Sequence, residues 1–241
     1  MLSQMGPNRY KYMFKELFTQ THFSKIYKCK NKIIKQTPKT CSFYYKNEYD
    51  ILKTLNHPNI MKILEMYEDT DYIYTVMNYY PRGDLYYNIY NKRISIKDYK
   101  SVVNKFINPI NMLHKNNIVH MDLKLENYLL DDYDSYLLFD FNVSKIHDYS
   151  YYDLIELEKI VGTKNYISPE VERGYYCKAS DMYSLGCILH IIYTNKHFNN
   201  IDTSYALLNN VNNNLKSLIL DLLDEDHELR PTVYDINYYL K

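Results

Sequence analysis

Two short apolar runs, residues 128–130 and 136–139, flank an Asp- and Ser-bearing stretch at 131–135, and this pattern constrains the chain more than any other. Asp and Ser are residues of tight turns, so the two runs are expected to pair as an antiparallel hairpin. In such a pair the residue entering the first strand lies beside the residue leaving the second. Asn127 and Asp140, far apart in sequence, are therefore expected side by side. One carboxylate and one amide oxygen suit a hard cation such as Mg2+, which keeps waters and substrate phosphates in its shell. Asp122 arrives on the incoming loop, its carboxylate available to accept a proton.

The rest of the composition narrows the class. At 241 residues a chain can bury about 70 to 75% of its unfolded surface, enough for a self-standing core. Lys plus Arg and Asp plus Glu number 29 each, so no global field points to nucleic acid or an anionic membrane. Cys29, Cys41, Cys177 and Cys187 show no CxxC pairing and no metal-type spacing with histidine, which predicts reduced packing thiols and a cytoplasmic location. The first residues, MLSQMGPNRYKYMF, lack an apolar core with a cleavage site, and the greasiest stretch, 185–193, is too short to span a bilayer. No membrane partner is expected, and oligomeric state is not legible. Thirty tyrosines against no tryptophan and five glycines look like the codon bias of an AT-rich genome, viral or parasite.

Residues 10–36 alternate in the manner of three short strands, with Ile26, Ile33 and Ile34 among polar neighbours. Residues 44–56 read as a helix whose apolar face carries Tyr44, Ile51, Leu52 and Leu55. Glu48 falls on that same face. A carboxylate facing a core needs a partner, and Lys35, ending the strand 32–35, is the candidate. Strands at 60–67 and 72–77 lead to NYYPRGDL, where Pro81 and Gly83 break regularity. Helices are expected at 96–115, 181–193, 215–223 and 233–240, and the Asn-rich patch 209–214 as a surface loop. Strands first and helices later predict an α+β fold.

The segment HMDLKLEN followed by DFN resembles the catalytic and metal-binding loops of eukaryotic-type protein kinases, HRDLKxxN and DFG. The resemblance implies a single kinase domain over 1–241, with a small β-rich lobe to about residue 77, a hinge near 78–83 and a mostly helical lobe beyond. It implies ATP and Mg2+ as cofactors, Asp122 as the base that orients the substrate hydroxyl, and Lys124 balancing charge on the phosphoryl group. Lys35 and Glu48 match the family's VAIK lysine and helix glutamate. Asn127 and Asp140 would hold Mg2+. Met77 would be the gatekeeper, Asn78 and Tyr80 would bond adenine, and Asp84 would reach the ribose. Phe18, Thr19, Ser24, Ile26, Ile33 and Leu129 complete the implied nucleotide cleft, while Phe141 and His120 would pack in the internal spine. GTKNYISPE, SDMYSLG and HELRPT follow in family order, placing Glu170 opposite Arg230. Lys124 and Thr163 match the serine/threonine class, so the implied partner is a protein carrying Ser or Thr.

Several positions depart from the pattern. The glycine-rich loop aligns with Thr19, Thr21 and Ser24, whose side chains hinder approach of backbone amides to phosphate. Ile33 replaces a small residue below adenine, and Met121 replaces the HRD arginine, the receptor for an activating phosphate. Asn142 replaces the DFG glycine, a change expected to be mild because Asn tolerates left-handed backbone angles. Two functions of different classes stay open on these residues, an active serine/threonine kinase and a pseudokinase acting as a binding or regulatory module; a third, a kinase of a small molecule or lipid, is disfavoured by GTKNYISPE, which resembles the protein-substrate type.

Overall fold

The computed structural model describes residues 16–20 and 24–241, with side chains omitted for 41–46. The first described elements are three strands, β1 (Glu16–Gln20), β2 (Lys25–Cys29) and β3 (Lys32–Pro38), followed by helix α1 (Ser42–Thr54) and strands β4 (Glu65–Glu68) and β5 (Tyr72–Asn78); residues 10–15 of the expected strand segment lie outside the described residues. They form one antiparallel sheet in the order β1-β2-β3-β5-β4. Its small core is Cys29, Ile34, Tyr74 and Val76. Central β3 and β5 are the buried members, whereas every residue of the edge strand β1 is exposed.

The strand expected at 60–67 is shorter, Glu65–Glu68. The preceding backbone is used elsewhere: Leu138 N donates to Asn59 O at 2.8 Å and Met61 N to Leu138 O at 2.9 Å, so this stretch stitches the small sheet to the hairpin below.

Beyond the sheet come α2 (Leu85–Tyr90), α3 (Tyr99–Lys115), β6 (Ile118–Val119), the hairpin β7 (Tyr128–Leu130) and β8 (Tyr136–Leu138), then β9 (Lys145–Ile146) and β10 (Ile155–Glu156). They are followed by α4 (Pro169–Glu172), β11 (Tyr175–Tyr176), α5 (Lys178–Thr194), α6 (Ile201–Leu207), α7 (Asn213–Leu222) and α8 (Ile236–Tyr239). The architecture is α+β and bilobal: an antiparallel sheet with one helix above a mostly helical body.

Helix α5 is buried along almost its whole length and is the axis of the larger core. Gly186 lets α7 approach it, since a Cβ there would lie 2.9 Å from Leu222 Cβ. Local side-chain chemistry moves several helix ends from where apolar periodicity puts them. Asp98 accepts from Lys100 N and Ser101 N, so α3 begins at Tyr99 instead of 96. Asn212 caps α7, which makes Asn213 and Asn214 its first turn; the patch is not all loop. The helix expected at 233–240 contracts to four residues because Asp235 accepts from Thr232 N and Oγ1 in a local turn. Helices α2, α4 and α6 had no strong period and were not expected.

Among the described residues no helix is long and apolar enough to cross a membrane. Cys29, Cys177 and Cys187 are buried free thiols, and burial pushes Cys177 up to about 11, which keeps it protonated.

Candidate active site

The antiparallel hairpin forms as expected, one residue shorter in its second strand, with Tyr128 opposite Leu138 and Leu130 opposite Tyr136. Asp131 makes the turn by accepting from Tyr133 N and Ser135 N. At its open end Phe139 N donates to Asn127 O at 3.0 Å, so Asp140 follows one residue after the partner of Asn127.

Asp122 sits at the centre of a compact polar cluster. Lys124 Nζ donates to its Oδ2 at 2.7 Å, the Thr163 hydroxyl to its Oδ1 at 2.7 Å, and Asn127 Nδ2 to the same Oδ2 at 3.2 Å. Lys124 also donates to Thr163 Oγ1 at 2.8 Å. Catalytic loop and activation segment are thus pinned to each other through one carboxylate. Asn127 Nδ2 donates as well to Asp122 O at 2.8 Å. The nitrogen is committed, so the amide oxygen is the atom of the kind a hard cation takes.

The backbone here is strained and held. Met121 has φ +69° and Asp140 φ +66°, left-handed values unusual for residues with a Cβ. Asp181 of α5, fully buried, accepts from His120 N at 2.8 Å, Met121 N at 3.0 Å and His114 Nε2 at 3.1 Å. It anchors the strained turn to the core. A buried acid has to have partners, and these three donors supply them. Below it, the Phe141 ring packs edge-on to His120 at 4.8 Å with both side chains buried, as expected of a spine.

On the small lobe, Lys35 Nζ donates to Glu48 Oε2 at 2.7 Å and lies 3.9 Å from Asp140 Oδ1. Burial works against the ammonium charge, but Glu48 and then Asp140 outweigh it and raise Lys35 above its ordinary value. The lysine stays cationic where phosphates would enter.

At the far side Glu170 and Arg230, each about 1% exposed, form a bidentate pair at 2.8 and 2.9 Å, with the Ser180 hydroxyl donating to Glu170. Burial alone would raise the Glu170 carboxyl. The Arg230 hydrogen bonds and charge overcome it and hold the group below the ordinary carboxylate range.

A protein kinase domain model matches residues 17–239, nearly the whole chain. The chain belongs to the protein kinase domain family. Its relatives include calcium-dependent protein kinase 4 of Plasmodium berghei, 37% identical over 150 residues, covering 60% of this chain and 28% of that protein. NUAK family SNF1-like kinase 1 of Mus musculus is 33% identical over 163 residues, 66% of this chain and 24% of the relative. Myosin light chain kinase A of Dictyostelium discoideum is 35% identical over 197 residues, 75% of this chain and 65% of the relative. The chain spans about a quarter of the length of the first two.

Within this kinase fold the remaining expected cleft residues fall as follows. Ile33 stands opposite Met77 across the sheet and Ile26 opposite Lys35. The exposed Phe18 ring meets the Tyr79 ring at 5.7 Å, edge-on, near Tyr80. Leu129 bridges to Asp84. The Asn78 amide oxygen accepts from Lys32 Nζ at 2.6 Å, Tyr79 N donates to Asn31 O at 3.0 Å and Tyr80 O accepts from Gly83 N at 3.2 Å. Thr19 lies at the irregularity between β1 and β2; Thr21 lies outside the described residues.

Three of the expected residues have side chains already engaged within the protein. Ser24 is buried with its hydroxyl 2.9 Å from Thr37 Oγ1, turned into the sheet rather than toward a phosphate. Asp84 caps α2, its Oδ1 accepting from Tyr87 N at 2.8 Å, so one oxygen expected for a ribose is committed to the helix. Asn142 is not among the described residues with positive φ, so backbone tolerance does not explain it; its side chain bonds Asp140 and Lys35. Met121, in place of the arginine, is buried with Val119, Leu157, Val171 and Tyr176, and Val161 and Ile167 of the activation segment pack on that cluster. Gly162 brings the segment close: its φ is +102°, and a Cβ would sit 2.7 Å from Met121 O. The GTKNYISPE motif contained that glycine, but its steric reason was invisible in one dimension.

Proposed function

We propose that the chain is an active serine/threonine protein kinase that moves the γ-phosphoryl group of Mg-ATP to a protein hydroxyl. The observation that carries this reading is the intact polar cluster on Asp122, joined with the Lys35–Glu48 pair at 2.7 Å. The substrate oxygen attacks the γ-phosphorus, the bond to the β-phosphate oxygen breaks, and Asp122 receives the hydroxyl proton. Lys124 neutralises charge on the group in flight, Lys35 steadies the α- and β-phosphates, and Glu48 keeps Lys35 aimed.

Among the described residues no group of three or more His, Cys, Asp or Glu could cage a metal. The donor set fits a cation that takes one carboxylate and one amide from protein and the rest from phosphate and water, as Mg2+ does. Asn127 and Asp140 would hold it, and it would neutralise phosphate charge. We take the described chain as one catalytic unit with residues 78–83 as its hinge, intracellular in its reduced cysteines.

The pseudokinase reading draws on two features, the glycine-free cover over the phosphates and Ile33 below adenine. Label transfer from γ-labelled ATP to a generic basic protein, compared with Asp122→Asn, separates the two. Transfer lost in the variant supports catalysis; equal background from both leaves a binding module.

A further inference from the structure

The geometry points to Asn142 as a positioning residue that, together with Asn47, latches the Asp140 loop inward before nucleotide arrives. Asn142 Nδ2 donates to Asp140 Oδ1, and its Oδ1 accepts from Lys35 Nζ at 3.3 Å. It therefore stands between the cation-binding carboxylate and the phosphate-binding lysine, donor to one and acceptor from the other. From helix α1, Asn47 Nδ2 reaches the same loop, donating to Ser144 O at 2.8 Å, with Phe141 O and Asn142 O at 3.3 and 3.4 Å. Asn47 is next to Glu48, which holds Lys35.

The contacts close a ring: α1 to Lys35 through Glu48, Lys35 to the loop through Asn142, and the loop back to α1 through Asn47. A glycine at 142 offers no side chain for either bond and more backbone freedom. Asn142 takes only one oxygen of Asp140. The other remains a ligand atom, so the latch orders the carboxylate without using it up. Ordering the loop in advance removes part of the entropy cost from the binding step, and so the latch favours Mg-ATP uptake.

This inference rests on the kinase reading for its nucleotide arm but not for its structural arm. Hydrogen exchange of the amides at 140–144 is measured without nucleotide for the wild type, Asn142→Ala, Asn47→Ala and the double variant. Alanine keeps a Cβ and so isolates the lost amide from glycine's backbone freedom. Each single variant is expected to exchange about tenfold faster in this loop, as for one lost hydrogen bond. The double variant is expected to add little, because either loss opens the ring.

In titrations with Mg and a non-hydrolysable ATP analogue, both singles should bind about three- to tenfold more weakly. Turnover should show a larger rise in KM for ATP than fall in kcat. Exchange within twofold of wild type in Asn47→Ala and Asn142→Ala overturns the latch, as does unchanged or tighter binding in Asn142→Ala, which would mark that side chain as a competitor of the metal. Should the wild type take up no nucleotide, the kinase reading fails while the exchange arm still decides whether the loop is latched.

Discussion

The catalytic loop and the β1–β2 ribbon both belong to the cleft, yet they are built in opposite ways. Residues 120–142 are braced from below by Asp181, from the side by Thr163 and from within by Lys124 and Asn127, with His120, Leu123, Tyr128 and Phe141 fully buried. The ribbon has an entirely exposed edge strand, with Leu17 and Phe18 more than half exposed. The polar groups that the proposed transfer would use are set against the large core. The described part of the ribbon sits on the sheet edge, where few buried contacts hold it. The sequence follows the same division in part: residues 120–142 keep the family's residues except at Met121 and Asn142, while the ribbon carries none of the pattern's glycines.

The comparison is broken most directly at its rigid end. Asp122→Asn should lower kcat by about 10^2- to 10^4-fold, the usual worth of a positioned acid or base, with little change in melting temperature; a loss under threefold would remove Asp122 from the chemistry. Breaking the buried pair with Arg230→Leu should cost about 3 to 5 kcal/mol, because it strands the Glu170 carboxylate in the core. Urea unfolding reads this loss.

The same pair sets an acid limit. Glu170 is held below its unfolded value, so its stabilisation is present above the ordinary carboxylate range and is lost as pH falls through the folded value. Glu170→Gln should flatten that part of the stability profile measured from neutral pH downward; an unchanged acid limb would assign it to other carboxylates. Lys35 gives no matching signal near neutrality, since its raised folded value puts loss of that stabilisation at alkaline pH.

Gly162→Ala should destabilise the activation segment by about 1 to 3 kcal/mol, the scale of a residue forced into an unfavourable backbone region. Reduced activity with faster proteolysis of residues 155–170 would show it.

Two smaller effects sharpen the contrast. Met121 lies in an apolar cluster where an arginine would receive phosphate, so phosphatase treatment should leave turnover within about twofold. Abolished activity would show that the apolar contacts do not suffice. At the soft end, Thr19→Gly should lower KM for ATP by about two- to fivefold, a change of under 1 kcal/mol. No change would mean the ribbon's side chains never obstructed the phosphates.

Much of the site was legible before any coordinates. Asn127 and Asp140 were placed together by turn chemistry and strand pairing, and Lys35 and Glu48 by the need to neutralise a core-facing acid, because those rules act over short chain distances or a single face. Asp181, Gly162 and Asn47 were not given roles. Their partners lie 60, 41 and 94 or more residues away, and no periodicity encodes which backbone carbonyl or amide will arrive beside them.

By itself, then, the order of residues determined the family, the hairpin and the inventory of acids, bases and amides in the cleft, since covalent spacing and hydrophobic period are local properties. Only the folded chain decided how those groups are spent. Ser24 turned into the sheet, Asp84 onto a helix end, and Asn142 between a lysine and a carboxylate. A polar side chain chooses its partner from whatever packing brings within about 3 Å: a neighbouring strand for Ser24, the next helical turn for Asp84, and for Asn142 a lysine 107 residues away that only the folded chain brings near.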